Sequence, residues 1–312
     1  MSRPVTLIST VYQEADSIRT FLDSIAAQTR LPDQVVITDA GSQDGTVEII
    51  RSYPGLPLVL EVLPGANRSR GRNRAVELAA HDLIAATDAG CRLHPGWLEA
   101  ITAPFADTDP PDVVAGFYQA DPHGLWEEAV AAATVPAAAE VNPQAFLPSG
   151  RSVAFTRAAW AKVGGYPEDT VLSEDTRFGL ALRRAGCRFA FAPQALARWR
   201  PQHSLPRVFR QFFRYARSDG EQGLWFGHYA KAYLVWWGLV VFTVTAAGWG
   251  LGAGLLVYAF RYHLRSRRRG AGPAAALLSV LVMLTVDAAH ALGYLVGLVR
   301  RFARRRPDRE AA

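Results

Sequence analysis

The sequence predicts an α/β fold, with a mostly parallel sheet and flanking helices, followed by helices that associate with a membrane. Apolar runs at Val5–Thr10 and Gln34–Thr38 lie between polar turns, which is typical of buried strands. The stretch between them has apolar residues spaced by three and four, which indicates an amphipathic helix. Beyond residue 230, long apolar segments alternate with arginine clusters, as in membrane-associated helices.

Composition limits the classes of function. The chain has 312 residues, enough for one or two domains, and half of them are apolar. The net charge of +6 is concentrated at residues 261–269 and 300–309, beside apolar runs, which favours a membrane surface over nucleic acid as a partner. The two cysteines, Cys91 and Cys187, are too few for a disulfide framework. The first apolar run is too short for a signal peptide, so we expect the N-terminal domain in the cytoplasm.

Strands and helices alternate through the first part of the chain. The first helix has apolar positions at Ile18, Phe21 and Leu22 and ends at Pro32, which gives a β-α-β unit with the flanking strands. The same alternation predicts, in order, helix Thr46–Ser52, strand Leu58–Leu63, helix Ala75–Ala80, strand Leu83–Thr87 and a helix from His94 to Ile101.

Acidic residues follow two of the predicted strands. Asp39 comes directly after Gln34–Thr38, and Asp88 directly after Leu83–Thr87. In open parallel sheets ligands bind beyond the carboxyl ends of the strands, so both carboxylates are candidates for ligand contacts. Ser42 and Asp44 can also cap the next helix, and an ordinary strand-to-helix turn is therefore the alternative.

A basic segment, residues 64–74, lies between a strand and a helix. It has four arginines within seven residues, with Gly71 among them. We interpret it as a glycine-containing loop that can hold a diphosphate through backbone N–H groups and guanidinium forks. A solvated arginine face is the alternative, but arginine at a helix N-terminus opposes the helix dipole, and this placement favours a bound anion.

The following part of the chain is less regular. Glu174 and Asp175 open a helix to Ala185, where capping and the helix dipole alone would explain acidic residues. The other expected elements are strand Asp112–Tyr118, an Ala-rich helix from Leu125 to Pro136, strand Val153–Phe155, helix Arg157–Val163 and a last strand, Phe189–Phe191.

The C-terminal region begins with a basic helix in which Arg210 and Arg214 alternate with aromatic residues. This is typical of a helix on an anionic bilayer, and single-stranded nucleic acid is the less favoured partner. Two apolar stretches follow, 232–260 and 274–299, and glycines at 248, 250, 252 and 254 can bend the first into a hairpin. Two simple spans would violate the positive-inside rule, so at least one stretch is expected to be re-entrant, a hairpin or interfacial. Asp287 and His290 are interpreted as a contact between helices.

Several motifs occur together in an order that resembles family-2 inverting glycosyltransferases. They are Tyr12-Gln13-Glu14, Asp39–Thr46, Arg70–Asn73, Asp88-Ala89-Gly90, Gly164–Tyr166 and Glu174-Asp175. The resemblance covers residues 4 to about 220 and implies the GT-A fold, a Rossmann-like nucleotide-diphospho-sugar transferase architecture. The Arg210–Tyr215 stretch and the apolar tail resemble the succinoglycan-type exopolysaccharide branch. We expect a catalytic domain at residues 1–222 and a membrane-associated region at residues 223–312.

The resemblance implies a role for each matching residue. Asp88 would be the first acid of the metal-binding Asp-x-Asp motif, Asp175 the general base and Glu174 its neighbour. Asp39 would accept a hydrogen bond from the base, typically uracil. The remaining candidate substrate-binding residues are Thr10, Tyr12 and Glu14 at the nucleoside, Arg70 and Arg72 at the diphosphate, and Ser42, Asp44, Asn73, Arg210 and Arg214.

Two departures from the family pattern affect this interpretation. Gly90 stands where the second acid of the Asp-x-Asp motif is usual, so Mg²⁺ or Mn²⁺ would depend on Asp88, the diphosphate and water, with the arginines carrying more of the charge. No Gln-x-x-Arg-Trp motif is present, because Arg198-Trp199 lacks the preceding glutamine, and this disfavours a processive synthase.

The resemblance implies a hexosyltransferase that moves a sugar from a UDP-sugar to a lipid-linked or polysaccharide-precursor acceptor at the cytoplasmic membrane face. Polyprenyl phosphate is the alternative acceptor. A non-catalytic nucleotide-sugar-binding membrane protein is the alternative from another class. A dinucleotide-dependent oxidoreductase is disfavoured, because no Gly-x-Gly-x-x-Gly follows the first strand.

Overall fold

A computed structural model describes residues 3–170, 172–245 and 249–304. They form two compact units. The first comprises the described residues of Met1–Asp121 and Ala137–Arg200, and the second those of Pro122–Pro136 and Pro201–Ala312. The structure thus groups residues 201–222, which we expected in the catalytic domain, with the C-terminal helices.

The first unit contains one mixed sheet, with eight strands among the described residues. The strands are β1 Val5–Val11, β2 Gln34–Asp39, β3 Leu58–Val62, β4 Leu83–Ala86, β5 Cys91–Leu93, β6 Val113–Ala120, β7 Val153–Thr156 and β8 Phe189–Trp199. Their order is β3-β2-β1-β4-β7-β6-β8-β5. The pairs among β1 to β4 and the pair β6–β8 are parallel. Strand β7 is antiparallel to both neighbours and β5 is antiparallel to β8, so four of the seven strand pairs among the described residues are parallel, in agreement with the expected, mostly parallel sheet.

Helices cover both faces of this sheet. They are α1 Ile18–Ala26, α2 Thr46–Arg51, α3 Arg68–Leu78, α4 Trp97–Thr102, α6 Arg157–Lys162 and α7 Glu174–Arg184, while α5 Leu125–Thr134 belongs to the second unit. Alternate strand residues bury opposite faces, so that Leu7 packs with α1 and α4, and Ile8 with α3, α6 and α7. The sheet is therefore the middle layer of an α/β/α sandwich.

Three elements of the first unit differ from the sequence prediction. The expected arginine loop is the start of α3, because the Asn67 side chain accepts a hydrogen bond from the Arg70 N–H and caps the helix at Arg68. Strand β5 was not predicted, since it has only three residues. Strand β8 continues past Phe191 to Trp199, because Ala197 and its neighbours pair with both β6 and β5.

The second unit is helical throughout its described residues outside the connections. Besides α5 it contains α8 Leu205–Gln222, α9 Phe226–Thr245, α10 Trp249–Arg268 and α11 Pro273–Arg304. The apolar stretch 232–260 is divided between α9 and α10, whose Trp236 and Tyr258 rings lie 5.9 Å apart. This supports the hairpin, which was one alternative for this stretch, although Gly248, one of the glycines that could bend it, lies outside the described residues. Asp287 on α11 accepts a hydrogen bond from the Tyr258 hydroxyl at 2.8 Å, which confirms the expected contact between helices.

Helix α11 packs closely on α8. Glycines allow this approach, because a Cβ at Gly293 would collide with the Phe213 carbonyl, and a Cβ at Gly297 with the Arg217 carbonyl. Among the described residues α11 alone is long and apolar enough to cross a membrane, judged by length and composition.

Candidate active site

The candidate site lies in the first unit at the carboxyl ends of β1, β2 and β4. The parallel register places Thr10 beside Thr38 and Val11 beside Asp39. The buried Asp39 Oδ1 accepts hydrogen bonds from the Gly41 and Ser42 N–H groups at 2.8 and 2.7 Å. Its Oδ2 is also buried and has no hydrogen-bond partner among the described residues. Leaving such an oxygen without a partner costs about 1–3 kcal/mol, which a ligand N–H would offset.

Ser42 and Asp44 hold the loop after β1 in place. The Gln13 N–H, at a left-handed φ of 57°, donates to Ser42 Oγ at 2.8 Å. Asp44 accepts from the Thr46 hydroxyl and from the Ala15 N–H, and the hydrogen bond from the Thr46 side chain is the main reason that the pKa of Asp44 is lowered. These two residues therefore shape the site as loop anchors.

Tyr12 and Glu14, on the loop that these anchors hold, have different surroundings. The Tyr12 ring is 59% exposed, so it is available to stack on a planar ligand. The Glu14 carboxylate accepts a hydrogen bond from the Ser17 hydroxyl, and the Glu14 N–H donates to Thr46 Oγ1. Glu14 thus joins the loop to the starts of α1 and α2.

Arg72 is the buried centre of the site. Its guanidinium donates to Asp88 Oδ1 at 2.7 Å and to Glu174 Oε1 at 2.9 Å, and it lies 5.3 Å from the centre of the Tyr166 ring. A Cβ at Gly150 would collide with this guanidinium, so the loop before β7 requires glycine there. The resemblance implied that Arg72 faces the diphosphate; in the structure its side chain is only 3% exposed and is already paired with two carboxylates.

Electrostatics distinguishes the two carboxylates that pair with Arg72. Burial acts to raise the pKa of Asp88, but the charges of Arg72, Arg151 and Arg68 outweigh it and hold that pKa below its usual value. Burial raises the pKa of Glu174, with Arg72 opposing the shift and Asp175 adding to it. The pKa of Asp88 is thus lowered and that of Glu174 raised, although both carboxylates pair with the same guanidinium.

Asp175 has the surroundings expected of an accessible base. It is half-buried, next to Glu174 in the first turn of α7. Its Oδ2 accepts from the Gly150 N–H at 3.1 Å and its Oδ1 from the Thr176 N–H at 2.7 Å. Backbone donors therefore fix the carboxylate while part of it faces solvent.

The surroundings of Arg70 and Asn73 differ from those expected, because the basic segment is helical and not a loop. Successive residues of an α-helix are about 100° apart, so Arg70 lies on a different face of α3 from Arg72, and it is exposed. The buried Asn73 amide is engaged by Tyr166, Glu168 and Trp160. Asn73 thus holds the turn before Pro167, and its side chain is not offered to a substrate.

Two arginines without an assigned role in the sequence belong to the site. Arg68 lies one turn before Arg72 on α3, and its charge acts on both Asp88 and Glu174. The Arg151 guanidinium lies 4.7 Å from the Trp199 ring centre and 5.4 Å from that of Tyr118, and its charge also lowers the pKa of Asp88. No local pattern marks Arg151, because the two rings come from strands distant in sequence.

Arg210 and Arg214 lie on α8 of the second unit and are exposed. Their predicted role in substrate binding stays a prediction.

The protein donors for a divalent metal are few. No group of three or more His, Cys, Asp or Glu side chains that could hold a metal occurs in the part of the chain that the structure describes. Asp88 is 37% exposed, and Arg72 bonds its Oδ1. One carboxylate fits Mg²⁺ or Mn²⁺ where diphosphate oxygens and water complete the coordination.

The mixed sheet, with acids at its strand ends and arginines facing them, has the arrangement that the family resemblance implied for an α/β transferase. The model of glycosyltransferase family 2 matches residues 6–146, and that of glycosyltransferase family group 2 matches residues 124–290. The chain therefore belongs to glycosyltransferase family 2. This confirms the family resemblance, whereas the succinoglycan-type branch stays a prediction.

Known relatives and one solved structure agree with this assignment. The O-antigen chain rhamnosyltransferase RfbN of Salmonella typhimurium is 23% identical over 67% of this chain and 70% of its own length. Glycosyltransferase AglE of Haloferax volcanii is 34% identical over 30% of this chain, and the match spans only 33% of AglE. The mannosyltransferase PcManGT of Pyrobaculum calidifontis, solved with GDP-Man and Mn²⁺, has a TM-score of 0.57 at 21% identity, over 98% of this chain and 88% of that one. This likeness confirms the GT-A fold.

Proposed function

We propose that the protein is an inverting glycosyltransferase that moves a sugar from a nucleotide-diphospho-sugar to an acceptor hydroxyl. The observation that carries this proposal is the Arg72 network, in which Asp88 and Glu174 share one buried guanidinium. Glu174 is adjacent in sequence to Asp175, so the network links the acid at the end of β4 to the accessible carboxylate of α7. A single-displacement transfer needs a general base for the acceptor hydroxyl and stabilisation of the leaving diphosphate, both held in one rigid site.

Each half of the reaction has a candidate group. In a single displacement the acceptor hydroxyl attacks the anomeric carbon, and Asp175 takes the hydroxyl proton as general base. The bond from the anomeric carbon to the diphosphate breaks, and the leaving diphosphate keeps the electron pair. Arg68 and Arg151 supply positive charge on that side, and a divalent ion bound at Asp88 would neutralise part of the developing charge.

The donor side of the proposal rests on Asp39 and Tyr12. Asp39 Oδ2 would accept an N–H from the base, and the exposed Tyr12 ring would stack on it. We propose a UDP-sugar as donor, since uracil offers such an N–H.

We propose a lipid-linked or polysaccharide-precursor acceptor at the cytoplasmic membrane face. Support comes from the apolar length of α11 and from RfbN, which acts on an O-antigen chain. Polyprenyl phosphate is the alternative acceptor.

The test combines nucleotide binding with turnover in the full-length protein. We expect UDP with Mn²⁺ to raise the apparent melting temperature, because ligand binding stabilises the native state. Asp175→Asn should keep this shift and lose transfer by about 10²-fold or more, the range for removal of a general base. Asp169→Asn is the matched control, because Asp169 is exposed and paired with Arg177.

Three outcomes would count against the proposal. Unchanged turnover in Asp175→Asn would remove this residue as the base. Nucleotide binding without turnover in the wild-type protein would favour a non-catalytic nucleotide-sugar-binding protein. If no nucleoside diphosphate causes a shift, the chain has the fold without the donor site.

A further inference from the structure

A large cavity lies within the second unit, among α9, α10 and α11. Its volume is about 810 Å³, within the range of small-molecule sites. Aromatic rings form much of its wall, including Tyr233, Trp236 and Tyr258. Val235 and Val257 also line it and are 71% and 69% exposed, so the cavity opens onto the outer surface of the helices. A chain-like apolar ligand can therefore enter from the side.

The outer surface around this cavity is itself apolar. Large side chains that are more than half exposed occur along all three helices: Leu234, Trp237, Val241, Leu256, Phe260, Leu277, Leu292 and Val299. Exposed apolar surface of this extent is suited to lipid and is unfavourable in water. The ligands that reach the opening are therefore membrane amphiphiles.

Two cations line the same cavity. Lys231 lies on α9 and Arg261 on α10, and both are exposed. Within the described residues neither side chain makes a hydrogen bond or an ion pair. Asp287, the one lining carboxylate among these residues, accepts the hydrogen bond from Tyr258. The two positive charges outnumber the single negative charge of this carboxylate, so the cavity favours an anionic headgroup.

We propose that this cavity binds a lipid phosphate, an amphiphile whose apolar chain lies along the aromatic wall and whose phosphate pairs with Lys231 and Arg261. Charge-assisted hydrogen bonds hold the phosphate, and burial of the chain supplies the rest of the affinity. Lipid binding can be measured whether or not the protein transfers a sugar, so the failure of this proposal is distinguishable from the failure of the proposed function.

The test is native mass spectrometry of the full-length protein in detergent, with two matched pairs of lipids. Polyprenyl phosphate is compared with polyprenol, and phosphatidylglycerol with diacylglycerol. We expect at least one phosphorylated lipid to bind roughly tenfold more tightly than its uncharged counterpart, the effect of one charged hydrogen bond. The pair that shows this preference identifies the source of the phosphate. Inorganic phosphate at the same concentration should not displace the lipid.

Variants separate the headgroup from the chain. The double variant Lys231→Ala, Arg261→Ala should lose the preference for the phosphorylated lipid. Its control is Arg268→Ala, Arg304→Ala, which removes two exposed charges away from the cavity. Ala253→Trp, which narrows the cavity, should abolish lipid binding, whereas Leu256→Trp on the outer surface of α10 should keep it.

The proposal fails if uncharged lipids bind as tightly as both phosphorylated ones, or if inorganic phosphate displaces the lipid. It also fails if the double variant keeps the preference, or if Ala253→Trp binds as the wild-type protein does.

Discussion

At the residue scale, one guanidinium organises the candidate active site. Arg72 connects α3 to the acid after β4 and to the first turn of α7. A buried arginine with two carboxylate partners keeps its charge, since the field of the carboxylates outweighs the burial that would lower its pKa. Removing it takes away the ion-pair partner of the buried Glu174 carboxylate.

We expect Arg72→Ala to lower the free energy of unfolding of the first unit by about 3–5 kcal/mol, the cost of breaking a buried ion pair from one side. Arg74→Ala on the same helix is the control, because Arg74 is 40% exposed and its pairs with Glu61 and Glu77 are screened by water. Chemical denaturation followed by tryptophan fluorescence measures both variants. Equal stabilities would contradict the central role of Arg72.

The position of Gly90 gives a second prediction. A Cβ at Gly90 would have no neighbour within 4 Å, so an acidic side chain fits without rearrangement. We expect Gly90→Asp to bind Mn²⁺ roughly tenfold more tightly in the presence of UDP, because a second carboxylate joins Asp88. Titration calorimetry measures this, with Gly90→Asn as the uncharged control. If both variants bind Mn²⁺ equally, residue 90 does not face the metal.

Some of these residues could be recognised from the sequence and others could not. Asp39 and Asp88 follow apolar runs, and strand ends are visible in a single sequence. The burial of Arg72 depends on which face of α3 meets the sheet. The position of the Arg151 guanidinium depends on aromatic rings from two strands that are distant in sequence. Contacts of this kind are set by tertiary packing and leave no local pattern.

At the element scale, α3 carries the site because it lies very close to the sheet. Gly71 makes this possible, since a Cβ there would lie 2.8 Å from Thr10 Cγ2 and 2.9 Å from Thr38 Oγ1. We predicted from the sequence that Gly71 lies in a loop, whereas it lies within α3. Arginine favours a helix, but a glycine in the helix interior costs about 1 kcal/mol relative to alanine. The cap at Asn67 and packing on β1 and β2 offset this cost.

We expect Gly71→Ala to destabilise the protein by about 1–3 kcal/mol, because overpacking outweighs the usual gain of alanine in a helix. It should also weaken UDP binding, since α3 must move away from Thr10 and Thr38. Gly96→Ala is the control, because its Cβ would meet no heavy atom closer than 3.7 Å. Thermal unfolding with and without UDP measures both effects, and a stabilised Gly71→Ala would contradict the close packing.

At the scale of the whole molecule, the chain combines an α/β unit with a helical unit. The sequence predicted this combination, because hydrophobic periodicity separates the two parts. The sequence did not predict that residues 122–136 and 201–222 belong to the helical unit. Both segments are amphipathic or Ala-rich helices, and such helices can pack on a sheet or on other helices equally well.

The apolar faces of the second unit lead to a prediction for the full-length protein. We expect it to stay in the membrane pellet in about 1 M NaCl, where the Debye length is about 3 Å, and to be released by detergent. Salt screens the arginines but leaves apolar burial unchanged. Release by salt alone would mean that the helices attach through charge at the surface only.

The unpartnered oxygen of Asp39 has a consequence for the choice of nucleobase. A carboxylate can only accept, so it favours rings that present a hydrogen at this position, namely uracil or thymine at N3 and guanine at N1. Cytosine presents a lone pair at N3, and two lone pairs facing each other in a buried site repel. The base would thus be selected by whether its ring nitrogen donates or accepts a hydrogen bond, before any contact with the sugar is made.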